Sequence, residues 1–517
     1  VPESASGNGG SPGQSDLSIA DPSSQTSSAA YEPDPRRWRI LAVTLTAGFM
    51  GLLDVSIVNV ALPSIQDGLN ATAGGIQWVV SGYALTFGLV LVSGGRLGDV
   101  LGRRRMFLIA LSAFVVTSAM AGAAPTETTL VLARLAQGVS AGLLTPQNTG
   151  LIQDLFRGPE RGKAFGLFGA TVGISTAIGP VLGGVILAAF GESSGWRWVF
   201  FVNVPIGILA LVLAARLLPS NPRKGPVRPE IDIPGMLLLG GAVLCVLLPL
   251  VESEQGGLRT LWGLFGVAVV LGALFVGWEH RTVRRGRPPL LDTRLITSTP
   301  GYAGGAAIGT VYFCGFAGIW LVFALFFQQA LGYTPLESGL AVTPFALGSA
   351  VSAAIAGRLV HHWGHWLTVA GLVLVALGLS VVAVLAGAVP DDEIGLATVL
   401  PLLVAGVGGG MVISPNTTLT LGGVPTRMAG VAGGALQTGQ RIGTALGTVV
   451  LASVFHAVTV SSGEFTVALA VAMYCSVGFT VIALGIAIAQ LWAGRGRPTA
   501  SRANDDRESQ LLLHSGG

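Results

Sequence analysis

The sequence predicts an all-α polytopic membrane protein with fourteen transmembrane helices, built as two pseudo-symmetric six-helix halves with two helices inserted between them. Three observations carry that expectation. Apolar runs long enough to span a bilayer recur along the chain, and basic residues collect on one alternating set of connections. Segments of the first half also reappear in the second.

Composition sets the solvent. Of 517 residues, 51% are hydrophobic and only 11% are charged, where soluble proteins carry about 25% charged residues. The mean hydropathy is +0.69, so lipid must solvate most of the chain. The 75 glycines are about twice the usual share and point to helices whose backbones approach closely. Cys245, Cys314 and Cys475 sit far apart in apolar runs, so neither a disulfide framework nor a metal site is expected. His361, His362 and His365 cluster beside Arg358 without acids, which fits a solvated loop or a weak adventitious metal site better than a catalytic centre. No Walker A loop is present, so ATP is not expected to drive the protein directly. No cofactor or nucleic-acid partner is expected, and the protein is expected not to be an enzyme.

Taken in order, residues 1–37 are rich in Ser, Gly, Pro and Asp and read as a disordered cytoplasmic tail without a secretory signal. Candidate spans follow near 40–62, 76–95, 106–124, 128–149, 164–190 and 198–215, making a first half at 38–218. Two more, 234–251 and 260–278, lie in a region of cytoplasmic linkers and inserted helices at 219–300. The last six, 302–327, 338–356, 367–389, 395–416, 429–456 and 466–492, make a second half at 301–492, before a cytoplasmic tail at 493–517. Basic residues follow the even-numbered spans, as in Arg96 with Arg103–Arg105, Arg157 with Arg161, Arg216 with Arg223, and Arg281 with Arg294. Of the 29 Lys and Arg, only Arg197 and Arg259 fall on the other side, and only Arg134 and Arg441 within spans. That asymmetry places both termini in the cytoplasm.

The repeats fix the architecture. Gly138-Val-Ser-Ala-Gly142 and Asn148-Thr149 recur as Gly406-Val-Gly-Gly-Gly410 and Asn416-Thr417. At the same offset Ile174, Thr176-Ala177 and Gly179 recur as Ile442, Thr444-Ala445 and Gly447. Gly95-Arg96-Leu97 with Gly102 recurs as Gly357-Arg358-Leu359 with Gly364. The fourth and fifth helices thus match the twelfth and thirteenth, and the second matches the tenth. Such a shift leaves helices seven and eight as the insertion.

Ionisable groups inside the spans are costly and mark candidate sites. Asp54 is the one acid placed well inside a span, and Arg134 lies at similar depth in the fourth helix, which runs the opposite way. A pair or a shared water-filled cavity is expected, with Gln137 one turn on completing the cluster. Two readings satisfy these residues: a static pair fixing helix one to helix four, and a carboxylate whose proton competes with substrate. Asp99 adds nothing to topology, but it can cap a helix start and pair with Arg96 or Arg103, latching helix ends. Helix nine carries Tyr312, Phe316, Trp320, Phe323 and Phe327 at steps of three to four, a stripe suited to packing or to stacking on flat lipophilic molecules. Arg441 stands where the first copy has Gly173; lining a cavity, binding an anionic group and holding a backbone carbonyl are all open to it.

Several stretches resemble the major facilitator superfamily, and within it the fourteen-spanner drug:proton antiporters of QacA and EmrB type, from about Leu41 to Trp492. They include Leu53-Asp-Val-Ser-Ile-Val-Asn-Val-Ala-Leu-Pro63 in helix one and Gly95-Arg-Leu-Gly-Asp-Val-Leu-Gly-Arg-Arg-Arg105 between helices two and three. Leu132-Ala-Arg-Leu-Ala-Gln-Gly138, the run from Gly173 through Gly-Pro-Val-Leu-Gly-Gly184, Trp196 to Gly207 and Phe327 to Gly332 complete the set. The resemblance implies the major facilitator fold and proton-driven export of drugs or antibiotics by rocking of the two halves. Proton coupling is expected at Asp54 and Arg134 from their burial, and the resemblance assigns a conformational latch to Gly95, Arg96, Asp99, Gly102 and Arg103. Gly173, Gly179, Pro180, Gly183 and Gly184 become antiporter-motif packing positions, expected to form a tight seam between the halves. The substrate cavity is expected to include Asp54, Asn59, Gln137, Tyr312, Phe316, Trp320, Phe323 and Arg441.

The expected partners are the lipid bilayer, protons and a lipophilic small molecule, with the protein a monomer in the cytoplasmic membrane. An importer or lipid-moving transporter of the same fold is the alternative, and a non-transporting receptor a weaker one, since the tails lack apolar periodicity. Residues 338–357 carry no acid, so neutral or monovalent substrates are expected over dications.

Overall fold

The computed structural model describes residues 33–191, 194–219, 231–292 and 294–495. Most of both tails, the linker residues 220–230 with Arg223, and Glu192 lie outside the described residues. Each of the fourteen apolar runs is helical. The first half comprises α1 (Arg37–Leu69), α2 (Ala73–Leu101), α3 (Arg103–Gly122), α4 (Glu127–Leu155), α5 (Gly158–Phe190) and α6 (Trp196–Leu217). Then come α7 (Ile233–Val251) and α8 (Gly263–Arg284). The second half comprises α9 (Tyr302–Leu325), α10 (Pro335–Trp363), α11 (His365–Ala388), α12 (Val399–Gly422), α13 (Ala429–Ser462) and α14 (Phe465–Arg495). A π turn at Phe326–Ala330 extends α9.

Thirteen of these helices are long and apolar enough by themselves to cross a membrane. The fourteenth, α4, falls short because Arg134, Gln137, Gln147, Asn148 and Gln153 interrupt it, yet all five are buried among neighbouring helices. Its polar groups face protein, where a spanning helix can tolerate them. Local chemistry marks the boundaries. Reciprocal caps start α4 (Thr126 with Thr129) and α10 (Thr334 with Glu337). Gly102, at φ +96°, divides α2 from α3 in a single residue, a conformation a side chain would strain.

Helix pairing repeats between the halves. In the first half α1 packs on α5 and α6, α4 on α2 and α3, and α3 on α6. In the second half α9 packs on α13 and α14, α12 on α10 and α11, and α11 on α14. The halves meet along two symmetry-related seams, α2 with α13 and α5 with α10. The inserted α7 rests on the α2–α13 seam, touching both of those helices, and pairs with α8. Leu85, Val243 and Leu247 fill that junction with Ile442 and Ala445. We call the end of the bundle carrying Arg96, Arg103 and Arg157 the basic end.

Candidate functional site

Asp54 and Arg134 meet in the interior of the first half, completely shielded from solvent. Arg134 donates through Nη1 to Asp54 Oδ2 and to Gln137 Oε1 (2.7 Å), and through Nε to the Val79 carbonyl (2.9 Å). Gln137 Nε2 donates to the other carboxylate oxygen of Asp54 (2.9 Å) and to Ser118 Oγ (2.7 Å). Asn203 Nδ2 adds a third donor at 3.2 Å. The Tyr83 ring lies 4.2 Å from the guanidinium carbon, and its hydroxyl is tied to the Gly51 carbonyl at 3.0 Å. Five helices, α1, α2, α3, α4 and α6, thus converge on one carboxylate–guanidinium pair.

The arrangement stores a conflict. Protonating Asp54 here would strand a buried guanidinium, and loss of one partner of a buried pair costs about 3–5 kcal/mol. Sequence reasoning found Asp54, Arg134 and Gln137 but missed Ser118, Tyr83 and Asn203. Polar residues in other apolar runs were the available signal; their convergence needed the packing.

At the basic end, Asp99 and Arg103 link the two halves. The Asp99 carboxylate accepts from the backbone N–H groups of Gly430 (3.2 Å) and Val431 (3.0 Å), capping the start of α13 from across the seam. Arg103 Nη2 donates to Asp99 (3.1 Å) and to the Thr426 carbonyl (2.6 Å). Its Nη1 reaches the Gly150 carbonyl and Asp154 (2.6 Å) on α4. Arg103 is therefore the partner of Asp99 and ties both halves together. Gly95 earns its place sterically: a Cβ there would fall on the Gly430 carbonyl.

Arg96 makes no ion pair among the described residues; of the two partners expected for Asp99, Arg103 is the one that pairs with it. Its charged neighbours are Asp99, Glu279 and Asp232, the last two supplied by α8 and the N-cap of α7. Asp232 Oδ1 accepts from the Gly235 amide and Trp278 Nε1. Glu279 Oε1 accepts from the amides of Leu290 and Leu291. The second oxygen of each carboxylate is buried without a partner. The inserted helices thus bring an acidic pair to the latch that motif reading had not singled out.

The glycine run of α5 divides its contacts rather than forming one seam between halves. Gly173 packs against Ala346 and Ala350 of α10, whereas Gly179 and Gly183 face Ser56, Ile57 and Val60 of α1 in their own half. Gly184 is half-buried, and the Pro180 side chain lies outside the described residues. The closest approach to the other half uses Gly162 and Gly166 against Gly357; a Cβ on Gly166 would lie 3.0 Å from the Gly357 Cα.

A small cleft opens between α5, α9, α10 and α12, lined by Val172, Gly173, Thr176, Phe316, Trp320, Phe345, Ala346, Ser349 and Ile413. It contains no charged residue. Phe316 and Trp320 from the helix-nine stripe reach its wall, and Trp320 Nε1 is buried there without a hydrogen-bond partner. Tyr312 and Phe323 do not reach it and pack in the core of the second half. Asp54 and Gln137 are sealed away, and Asn59 is exposed on α1, so none of the three lines this pocket. Arg441 is half-buried on α13, with its guanidinium carbon 4.3 Å from the Phe87 ring centre on α2. Phe345, which sequence reading missed, closes the aromatic wall against Trp320 at 5.1 Å.

Residues 44–448 match the Major Facilitator Superfamily. The chain is 36% identical to the probable actinorhodin transporter of Streptomyces coelicolor over 84% of this chain and 75% of that protein. It is also 36% identical to puromycin resistance protein pur8 of Streptomyces alboniger, over 83% of this chain and 84% of that protein. Among solved structures, the human organic anion transporter MFSD10 aligns with a TM-score of 0.65 at 15% identity, covering 88% of this chain and 100% of that one. That last likeness speaks for the fold alone. With two paired six-helix halves and a match over most of its length, the chain belongs to the major facilitator superfamily and is a multi-pass membrane transporter rather than an enzyme.

Proposed function

We propose that this transporter exports hydrophobic or amphiphilic compounds across the cytoplasmic membrane in exchange for protons, with residues 38–218 and 301–492 as the rocking halves. The observation that carries the reading is the sealed Asp54–Arg134 pair in a molecule whose basic end is latched shut. A carboxylate with no route to water here becomes protonatable only in another conformation, so protonation and helix rearrangement are linked. Basic loops orient the latched end toward the cytoplasm, which makes this the outward-facing side of the cycle. Both termini are then cytoplasmic.

The uncharged aromatic pocket supports a flat lipophilic substrate, with Trp320 Nε1 as a polar handle. The relatives' names, an actinorhodin transporter and a puromycin resistance protein, fit antibiotics as the substrate class. Purified protein in proteoliposomes tests the proposal with puromycin as probe. An imposed proton gradient is expected to drive puromycin uphill against the proton flow. Uptake that ignores the gradient would refute antiport.

A further inference from the structure

We propose that Arg441 is an anion-binding subsite, so that the preferred substrates are aromatic amphiphiles carrying one carboxylate, phenolate or comparable acidic group. This rests on the export reading above and deepens it, by naming the charge of the substrate.

The two arginines within the spans differ in how they are satisfied. Arg134 is held by a carboxylate, an amide oxygen, a backbone carbonyl and a ring. Arg441 has only the Phe87 ring, with no carboxylate in ion-pair range among the described residues. A guanidinium carries five N–H donors, and a ring face satisfies none of them as an oxygen would. At this depth in a span, such a charge marks a functional position. The acid that could have balanced it, Asp54, is already engaged and sealed.

Position completes the argument. Arg441 is half-buried and lies on the α2–α13 seam where the halves meet. Phe87 stands one turn from Tyr83 on α2, with ring centres 6.0 Å apart. The two arginines, one from each half, therefore rest on adjacent rings of one helix. Cation–π contact contributes less than a bidentate carboxylate pair, so Phe87 parks the guanidinium until an anion draws it away. An anion at Arg441 then changes what α2 holds next to the Asp54–Arg134 pair.

The test compares one skeleton at three charges: 9-anthracenecarboxylate, its methyl ester and 9-(aminomethyl)anthracene. Binding to purified full-length protein is read by fluorescence. Arg441→Gln is expected to weaken the carboxylate by about tenfold or more while moving the ester less than about twofold. Arg441→Lys, which keeps the charge, should restore most of the carboxylate's affinity. Equal weakening of all three probes, or a carboxylate indifferent to both variants, overturns the proposal. Failure of the export reading shows separately, as wild-type vesicles that bind the carboxylate selectively yet transport no probe.

Discussion

Replacing Asp99 by Asn isolates the electrostatic part of the latch without changing its shape. The wild-type side chain is 1% exposed and accepts three hydrogen bonds, from Gly430 N, Val431 N and Arg103 Nη2. Asparagine retains one acceptor oxygen and turns an NH₂ toward the remaining donors. Hydrogen bonds to a charged group contribute about 1.5–3 kcal/mol against about 0.5–1.5 for neutral ones. Loss of the negative charge at the α13 N-terminus adds up to about 2 kcal/mol. A net loss of about 2 kcal/mol, the low end of that sum, shifts the latched–unlatched equilibrium by about thirtyfold. Val92, 4% exposed and close to Gly434 across the seam, reports it. With Cys245, Cys314 and Cys475 replaced by serine, Val92→Cys is labelled by an impermeant maleimide in inside-out vesicles. Asp99→Asn should raise the labelling rate by about thirtyfold in protein that remains folded. An unchanged rate in folded protein would show that the capping of α13 does not hold the basic end closed.

Three further outcomes follow from named contacts. Gly447→Ala places a methyl on the Cys314 carbonyl, where α13 meets α9, and should lower stability by about 1–3 kcal/mol in a thermal melt. Gly272→Ala, with nothing within 4 Å, should not. Trp320→Ala should weaken binding of a flat lipophilic probe by about tenfold, whereas Tyr312→Phe, in the core beside the pocket, should leave it unchanged. Glu279→Ala strands the Leu290 and Leu291 amides and should cost about 1–3 kcal/mol. Glu279→Gln keeps an acceptor and should recover most of that loss.

What the sequence made legible follows from period and cost. Apolar run length located the fourteen helices, the repeats matched one half to the other, and glycine density pointed to close helix approach, as at Gly95 and Gly357. Buried charges were equally readable, since an ion inside a span demands a partner and Asp54 had one candidate at its depth. Details of which face meets which neighbour were not. The α5 glycines looked like one seam, but a helix turns its faces every few residues, so Gly173 and Gly179 meet different halves. Tyr312 and Trp320 likewise share a stripe, yet only the latter reaches the pocket. Partners drawn from distant segments were also hidden, such as Asn203 on Asp54 and Glu279 near Arg96. Repeat symmetry even concealed a difference: Asp99 caps α13, while the last turn of α10 carries exposed His361 and His362 at the related positions, so among the described residues the second seam closes on glycine contacts without that ionic cap.

The central claim is that Asp54 carries the proton whose binding is exchanged for substrate. Puromycin transport by wild type and Asp54→Asn, in the same proteoliposomes with and without an imposed proton gradient, tests it most directly. The account predicts that the asparagine variant loses gradient-driven accumulation while still exchanging external for internal puromycin at equilibrium. Uphill, gradient-dependent transport by Asp54→Asn at the wild-type rate would contradict it.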